Sequence, residues 1–188
     1  MKGVRKLKQY TADCIKNIAL AGHGSSGKTS LAEALLFTAG ASERLGKIAE
    51  GNTVCDFDPE ETKRKISIAT SVAPLEWKGE KINLLDTPGL FDFAEGLYEG
   101  IRAAGSVIIN ISGKSGVAVG TEKAFQAARE RGLPVIFFVN KLDSDHADFY
   151  KVFEQLKTQF GPAVCPMVVP FVVEHRVQCY VNVLEYRA

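Results

Sequence analysis

An apolar run, Ile18-Ala19-Leu20-Ala21, passes into the glycine-rich stretch Gly22-His23-Gly24-Ser25-Ser26-Gly27, after which apolar residues recur at helical spacing as Leu31, Leu35 and Leu36. This pattern predicts a buried strand over 17–21, a tight turn, and a helix over 28–37. Residues 41–65 are polar and charged with no sustained period, a length of loop that in compact domains is usually functional. Two strand-like segments follow, 66–74 and 81–85, separated by Trp77-Lys78-Gly79-Glu80, and they predict a hairpin. Helical spacing over 91–104, a buried apolar run over 106–111, a helix over 121–131, a second buried run over 135–139 and an amphipathic helix over 147–160 complete the alternation. In the last of these, Phe149, Val152, Phe153 and Leu156 share a face. Apolar strands alternating with helices imply parallel strands joined by right-handed crossovers, hence an α/β fold of three layers. In such sheets ligands bind at the carboxyl ends of the strands.

The glycine-rich stretch has a chemistry of its own. Gly22-x-x-x-x-Gly27-Lys28-Thr29 satisfies the phosphate-loop pattern, in which glycines let the backbone N–H groups point inward and the next helix adds its positive end. Gly22, His23, Gly24, Ser25, Ser26, Gly27, Lys28, Thr29 and Ser30 are therefore candidate nucleotide-binding residues. Lys28 is assigned to the β- and γ-phosphates, facing ligand rather than core, and Thr29 to Mg²⁺. The fold class sharpens to a P-loop NTPase three-layer sandwich, with a mostly parallel sheet and one antiparallel hairpin strand.

Two further motifs sit at strand ends. Asp86-Thr87-Pro88-Gly89 closes the second hairpin strand, which lets Asp86 approach the Mg²⁺ shell while the Gly89 N–H faces a γ-phosphate. Asn140-Lys141-Leu142-Asp143 ends the last apolar run and names the base. A carboxylate at Asp143 accepts from the guanine ring N–H and exocyclic amine, Lys141 covers the base face, and Asn140 ties this loop to the phosphate loop. Gly113-Lys114-Ser115 also follows a strand, but Ile108 stands where the first glycine would be, so this segment reads as a loop.

Composition narrows the setting. With 188 residues, 46% of them hydrophobic, the chain suits one well-buried domain. A net charge of +1 provides no global argument for nucleic acid or membrane, so an anionic ligand must be held locally. Cys14, Cys55, Cys165 and Cys179 show no metal or disulfide spacing and read as reduced thiols of a cytoplasmic protein. His146 and His175 lack partners at ligand spacing and read as surface or loop residues. No apolar run approaches a spanning helix. Residues 1–13 carry Lys2, Arg5, Lys6 and Lys8 and read as a solvated basic leader or as a basic arm touching RNA.

Together these motifs resemble the GTP-binding domain of translational GTPases, most closely elongation factor G and its paralogues. The resemblance also rests on Ile66-Ser67-Ile68, Phe91-Asp92-Phe93, Ser115-Gly116-Val117 and Thr121-Glu122-Lys123, and runs from about residue 15 to the end. It implies binding of GTP and GDP with Mg²⁺, GTP hydrolysis with Lys28 and Gly89 at the γ-phosphate, and action on the ribosome, its RNA and proteins, with no membrane and no DNA. By the same resemblance Ser67 matches the first-switch threonine that joins Thr29 and Asp86 at Mg²⁺ only when GTP is bound. Alternatives are a ribosome-binding GTP switch with little hydrolysis and a tetracycline-resistance ribosomal protection factor. A metabolic ATPase or kinase is disfavoured by the Asn140–Asp143 motif.

Three positions depart from the family pattern: Ser25 stands for an aspartate, Lys65 for a glycine, and Leu90 for the histidine associated with positioning attacking water. The family's Ser-Ala guanine signature lies beyond an inserted subdomain, and no Ser-Ala dipeptide occurs here. The expected organisation is a leader over 1–13, a GTP-binding core over 14–162 and the start of the inserted subdomain over 163–188, the whole being a monomeric N-terminal piece of a longer factor.

Overall fold

In the computed structural model, which describes residues 8–173 and 176–185, the order of elements follows the predicted alternation. Lys2, Arg5, Lys6 and His175 lie outside the described residues. Strand β1 (Ile15–Gly22) leads into helix α1 (Lys28–Thr38). A short 3₁₀ turn (Ile48–Glu50) and helix α2 (Pro59–Arg64) break up the long polar segment. Strands β2 (Ser71–Trp77) and β3 (Glu80–Asp86) form the hairpin. A 3₁₀ turn (Phe91–Phe93) runs into α3 (Ala94–Ala103), then come β4 (Ser106–Ser112), α4 (Val119–Glu130), β5 (Val135–Asn140) and α5 (Phe149–Phe160).

Among the described residues these strands form one sheet in the order β2-β3-β1-β4-β5, parallel except for β2. The three predicted phosphate and base motifs thus emerge at the carboxyl ends of the adjacent strands β3 and β1 and of β5, with β4 between. Alternation along β1 distributes the two cores. Ala19 and Ala21 pack with Leu97, Ile101, Ile109, Ala124 and Leu156 beneath α3, α4 and α5. Leu20 packs with Ala32, Leu36, Leu75 and Leu84 beneath α1. Burying Leu20 or Leu84 contributes about 1.5–3 kcal/mol each, and the small alanines let the helices close on the central strand.

Several boundaries differ from the expectation. The first hairpin strand begins at Ser71, because Ile66–Thr70 is held by side-chain contacts instead of a strand ladder. Trp77 belongs to that strand, and the turn narrows to Lys78 and Gly79, whose φ of 49° and 89° match the right-handed strand twist. The helix after Asp86-Thr87-Pro88-Gly89 begins at Ala94, behind a 3₁₀ turn. The run 135–139 is half-buried: Ile136 is 50% exposed, since β5 is the outer strand of the described sheet. Pro74 is accommodated because β2 is the opposite edge.

Strands β6 (Val168–Val173) and β7 (Arg176–Asn182) form their own antiparallel pair. The Tyr150 hydroxyl of α5 donates to the Pro170 carbonyl over 3.0 Å and ties this hairpin to the main domain. All four cysteines are free thiols, and His146 is exposed in a loop. Among the described residues no helix is long and apolar enough to cross a membrane.

Candidate functional site

The turn after β1 closes tightly on its neighbours. A Cβ at Gly22 would overlap the Asn110 carbonyl of β4, and one at Gly27, where φ is 96°, would overlap the Asn140 amide. Ser25 takes φ 60°, so the loop curls back on itself, and α1 starts without any side-chain cap. Its first N–H groups therefore face the loop's concavity, the arrangement that binds a phosphate.

Lys28 and Thr29 begin the helix from inside. Contrary to the expectation of a ligand-facing surface group, Lys28 is only 6% exposed, and its ammonium donates to the carbonyls of Gly22 and His23 over 3.2 and 3.1 Å. Burial pushes the Lys28 amine down to about 8 despite the opposing pull of Asp86 and Asp56. A buried cation with only neutral carbonyl partners is one that an anion would stabilise.

Thr29 lies at the centre of an oxygen cluster. Its hydroxyl donates to Asp86 Oδ2 over 2.7 Å and is 3.2 Å from the hydroxyl of Ser67, which in turn donates to Asp56 Oδ1 over 2.7 Å. Burial raises the Asp86 carboxyl to about 7 against the Thr29 hydrogen bond and the Lys28 charge, and it also raises Asp56. Asp86 Oδ1 is buried without a partner. Two carboxylates and two hydroxyls around an unsatisfied buried oxygen fit a hard divalent cation, which takes oxygen ligands and retains water. Every donor in this cluster is an oxygen, the set that suits magnesium rather than a softer metal.

Gly89 and Leu90 close the phosphate side. A Cβ at Gly89 would overlap the Lys28 amine and the Gly24 backbone, so the chain passes directly against the loop. Leu90, 37% exposed, rests on Gly24. Thr87 anchors the segment through its hydroxyl and N–H, both bonded to the Leu20 carbonyl. Phe91 leans on His23 with ring centroids 5.9 Å apart, and Lys123 Nζ lies 4.5 Å from the Phe91 centroid.

The base motif is joined to the same loop. Asn140 Nδ2 donates to the Ser26 carbonyl over 3.3 Å, and Lys141 Nζ to the Ser25 carbonyl over 2.7 Å. Asp143 is exposed, while Ser30 lies on the outer face of α1. Gly113-Lys114-Ser115 is a turn, as expected, pinned by the Gly113 N–H to the Asn140 carbonyl over 2.7 Å. Lys114 and Ser115 wall a cavity of about 250 Å³ with His23, Ser26, Asn110 and Lys141.

Sequence reasoning missed three carboxylates here. Asp56 joins the oxygen cluster, Glu33 is fully buried in α1 and accepts the N–H groups of Gly46 and Val54, and Glu61 organises the stretch around Ser67. Only Glu61 had a signal, the Asp58-Pro59-Glu60-Glu61 capping box, which forms as that spacing dictates.

The family model described as the elongation factor Tu GTP binding domain matches residues 13–185. The chain is 35% identical to the mitochondrial ribosome-releasing factor 2 of Culex quinquefasciatus over 90% of its length and 23% of that protein. It is 33% identical to elongation factor G of Granulibacter bethesdensis, covering 93% of this chain and 25% of the relative. With the tetracycline resistance protein TetM from transposon Tn916 of Enterococcus faecalis it shares 35% identity over 90% of this chain and 25% of the relative. A crystal structure of ttk003000868 from Thermus thermophilus superimposes with a TM-score of 0.86 at 38% identity, over 92% of this chain and 26% of that one. The chain spans about a quarter of the length of the curated relatives it matches.

Proposed function

As the chain belongs to the translational GTPases that share the elongation factor Tu GTP-binding domain, and within them is a GTP-binding domain of the elongation-factor-G type, we propose that it binds GTP with Mg²⁺ through the residues gathered at the start of α1 and hydrolyses it slowly. The observation that carries this reading is the bonded set Thr29, Asp86, Ser67 and Asp56 beside the buried Lys28 ammonium.

In this reading the N–H groups of the phosphate loop and of α1 hold the β- and γ-phosphates, and Lys28 neutralises them. Thr29 and Ser67 supply hydroxyls to Mg²⁺, while Asp86 and Asp56 hold its water shell. When bound, Mg²⁺ neutralises charge developing on the phosphate oxygens. Asn140 and Lys141 lock the base loop to the phosphate loop, and Asp143 accepts the guanine N–H groups. The Gly89 N–H meets the γ-phosphate. Leu90 orients no water, because its side chain carries no hydrogen-bonding group, and this favours a switch that turns over slowly without a partner.

For the whole protein we infer action at the ribosome, through its RNA and proteins; the names of the relatives, which include a ribosome-releasing factor and a tetracycline resistance protein, support that setting. Residues 163–188 are assigned to the start of an inserted subdomain, and the chain to a monomer acting away from DNA and membranes. The test is a calorimetric comparison of GTP, GDP and ATP with and without Mg²⁺. Tight, Mg²⁺-strengthened GTP binding with no measurable ATP binding is expected, and equal affinity for ATP overturns the reading.

A further inference from the structure

The carboxyl end of β4 carries an amide in an otherwise apolar run. Asn110 stands between Ile109 and Ile111 and is fully buried, yet neither its Oδ1 nor its Nδ2 has a bonding partner in the protein. It lines the cavity of about 250 Å³ between the phosphate loop and the turn Gly113-Lys114-Ser115. Two other lining residues present buried polar atoms of the same kind, Ser26 Oγ and His23 Nδ1. Among the described residues, four of the seven buried side-chain atoms without a partner therefore belong to the lining of one cavity. Buried polar groups are nearly always bonded, so a cluster of exceptions marks a place where a ligand or water is held.

The lining selects the charge of that ligand. Lys114 and Lys141 line the cavity, and among its described lining residues there is no aspartate or glutamate. Ser112 Oγ accepts the N–H groups of Lys114 and Ser115 over 3.3 and 3.4 Å, which leaves its own O–H to donate. Helix α4 opens at the same place: Ala118 and Thr121 line the cavity, and the helix start has no side-chain cap, so its positive end adds to the field. A carboxamide N–H, hydroxyls, two ammonium groups and a helix N-terminus together suit an oxyanion and repel a cation. The volume is several times the roughly 30 Å³ share of one water, enough for a phosphate group with its nearest waters.

This space lies behind the loop that grips nucleotide. On the nucleotide face Gly89 passes against Lys28 Nζ and the Gly24 backbone, and none of Lys28, Thr29, Asp86 or Gly89 lines the cavity. On the other face α4 packs against His23, where a Cβ on Gly120 would come within 2.7 Å of the His23 Cα. We propose that the cavity is a second anion site, which takes a tetrahedral oxyanion of the phosphate class on the reverse side of the phosphate loop, held by Asn110, Ser26, Ser112 and Lys114. Lys141 joins it to the nucleotide side, since its ammonium donates to the Ser25 carbonyl over 2.7 Å.

The experiment uses the full chain, labelled with ¹⁵N and saturated with GDP and Mg²⁺ so that the nucleotide face is filled. Sodium phosphate is titrated against sodium chloride at constant ionic strength. Saturable shifts are expected at the Asn110 side-chain NH₂ and at the amides of Ser26 and of residues 112–116. Lys114→Ala and Asn110→Leu should each weaken phosphate about 10-fold or more, the loss of one charge-assisted hydrogen bond, and leave GDP affinity as it was. Lys114 lies on an exposed turn, so its variant carries the test even if the core substitution at Asn110 fails to fold. Glycerol phosphate, titrated in parallel, separates the two sources: tighter binding of inorganic phosphate identifies free phosphate, and tighter binding of the ester identifies a phosphorylated metabolite.

Shifts that chloride reproduces, or that never saturate, overturn the proposal. So do shifts confined to Gly27–Thr29 while the Asn110 NH₂ stays still, because phosphate then binds only the nucleotide face. Unchanged phosphate affinity in Lys114→Ala and in a folded Asn110→Leu overturns it as well, and leaves water as what the buried amide meets. The titration is repeated without nucleotide, so a chain that takes phosphate at Asn110 but no GDP overturns the nucleotide reading and not the second site.

Discussion

Leu90 rests directly on Gly24: a methyl group added to that glycine would come within 2.9 Å of Leu90 Cδ2. An isobutyl group thus covers the phosphate loop at the position where the resemblance to elongation factor G implies a histidine. Phosphoryl transfer depends on holding the nucleophile in line, and a group that relays or orients its proton is typically worth about 10²- to 10⁴-fold in rate. Leu90→His is expected to accelerate single-turnover phosphate release by a factor within that range, with ribosomes present, while GTP affinity stays the same. Equal release rates for the two proteins would show that residue 90 does not limit hydrolysis.

Lys28 is a buried ammonium whose hydrogen-bond partners are neutral carbonyls, so its charge carries a desolvation cost that an anionic ligand would offset. Its amine is depressed to about 8 from 10.5, and a depressed pKa contributes stability that is present above the unfolded value and lost as pH falls through the folded one. At pH 7 the cost is fully expressed. Lys28→Met should therefore stabilise the nucleotide-free chain at pH 7, by about 1–3 kcal/mol after allowing for the carbonyl bonds it gives up, while abolishing GTP binding. The stabilisation should shrink as pH rises from 8 toward 10. Urea unfolding across that range provides the check, and a variant less stable than the parent at pH 7 would contradict it.

Asp143 is exposed at the end of a loop that Asn140 and Lys141 pin to the phosphate loop, so its carboxylate can change without disturbing the loop. Each charge-assisted bond to the base is worth about 1.5–3 kcal/mol. Asp143→Asn should lose GTP affinity accordingly and gain affinity for xanthosine triphosphate, whose ring reverses the donor and acceptor pattern. Competition binding between the two nucleotides decides it; an unaltered preference for GTP removes Asp143 from the base site.

Lys65 occupies the left-handed region at the end of α2, at about 1–2 kcal/mol for a residue with a Cβ. Glycine has no such penalty but gives back about 0.5–1 kcal/mol through the greater freedom of the unfolded chain. Lys65→Gly is expected to raise the unfolding midpoint modestly, equivalent to about 0.5–1 kcal/mol. A destabilised variant would mean that the lysine side chain itself holds the end of α2.

How much of this was legible beforehand follows the range of the forces involved. The phosphate loop, the alternation of strands and helices, the hairpin, and Asn140–Asp143 at a strand end were readable because each depends on neighbours a few residues apart. Gly22 and Gly27 are where they must be for a turn whose backbone is crossed by Asn110 and Asn140, and the helix start at Lys28 follows from the turn. The capping box was equally local, and could have marked Glu61 as a helix start.

The rest depended on distance in space. Asp56 is a loop carboxylate eleven residues from Ser67, and only the closing of the 41–65 segment over α1 buries it beside Thr29 and Asp86. Glu33 carries a charge that by itself points to solvent, yet it is fully buried in α1 because Gly46 and Val54 bring their N–H groups to it. Lys28 reads as a reaching side chain, whereas the fold turns its amine back onto Gly22 and His23. The amino-acid sequence alone determined which local shapes form and therefore where phosphate and base motifs fall. Which carboxylates become buried, and which charge is left with only neutral carbonyl partners, only the tertiary structure decided, because desolvation is a property of everything that packs around a group and not of the group's place in the chain.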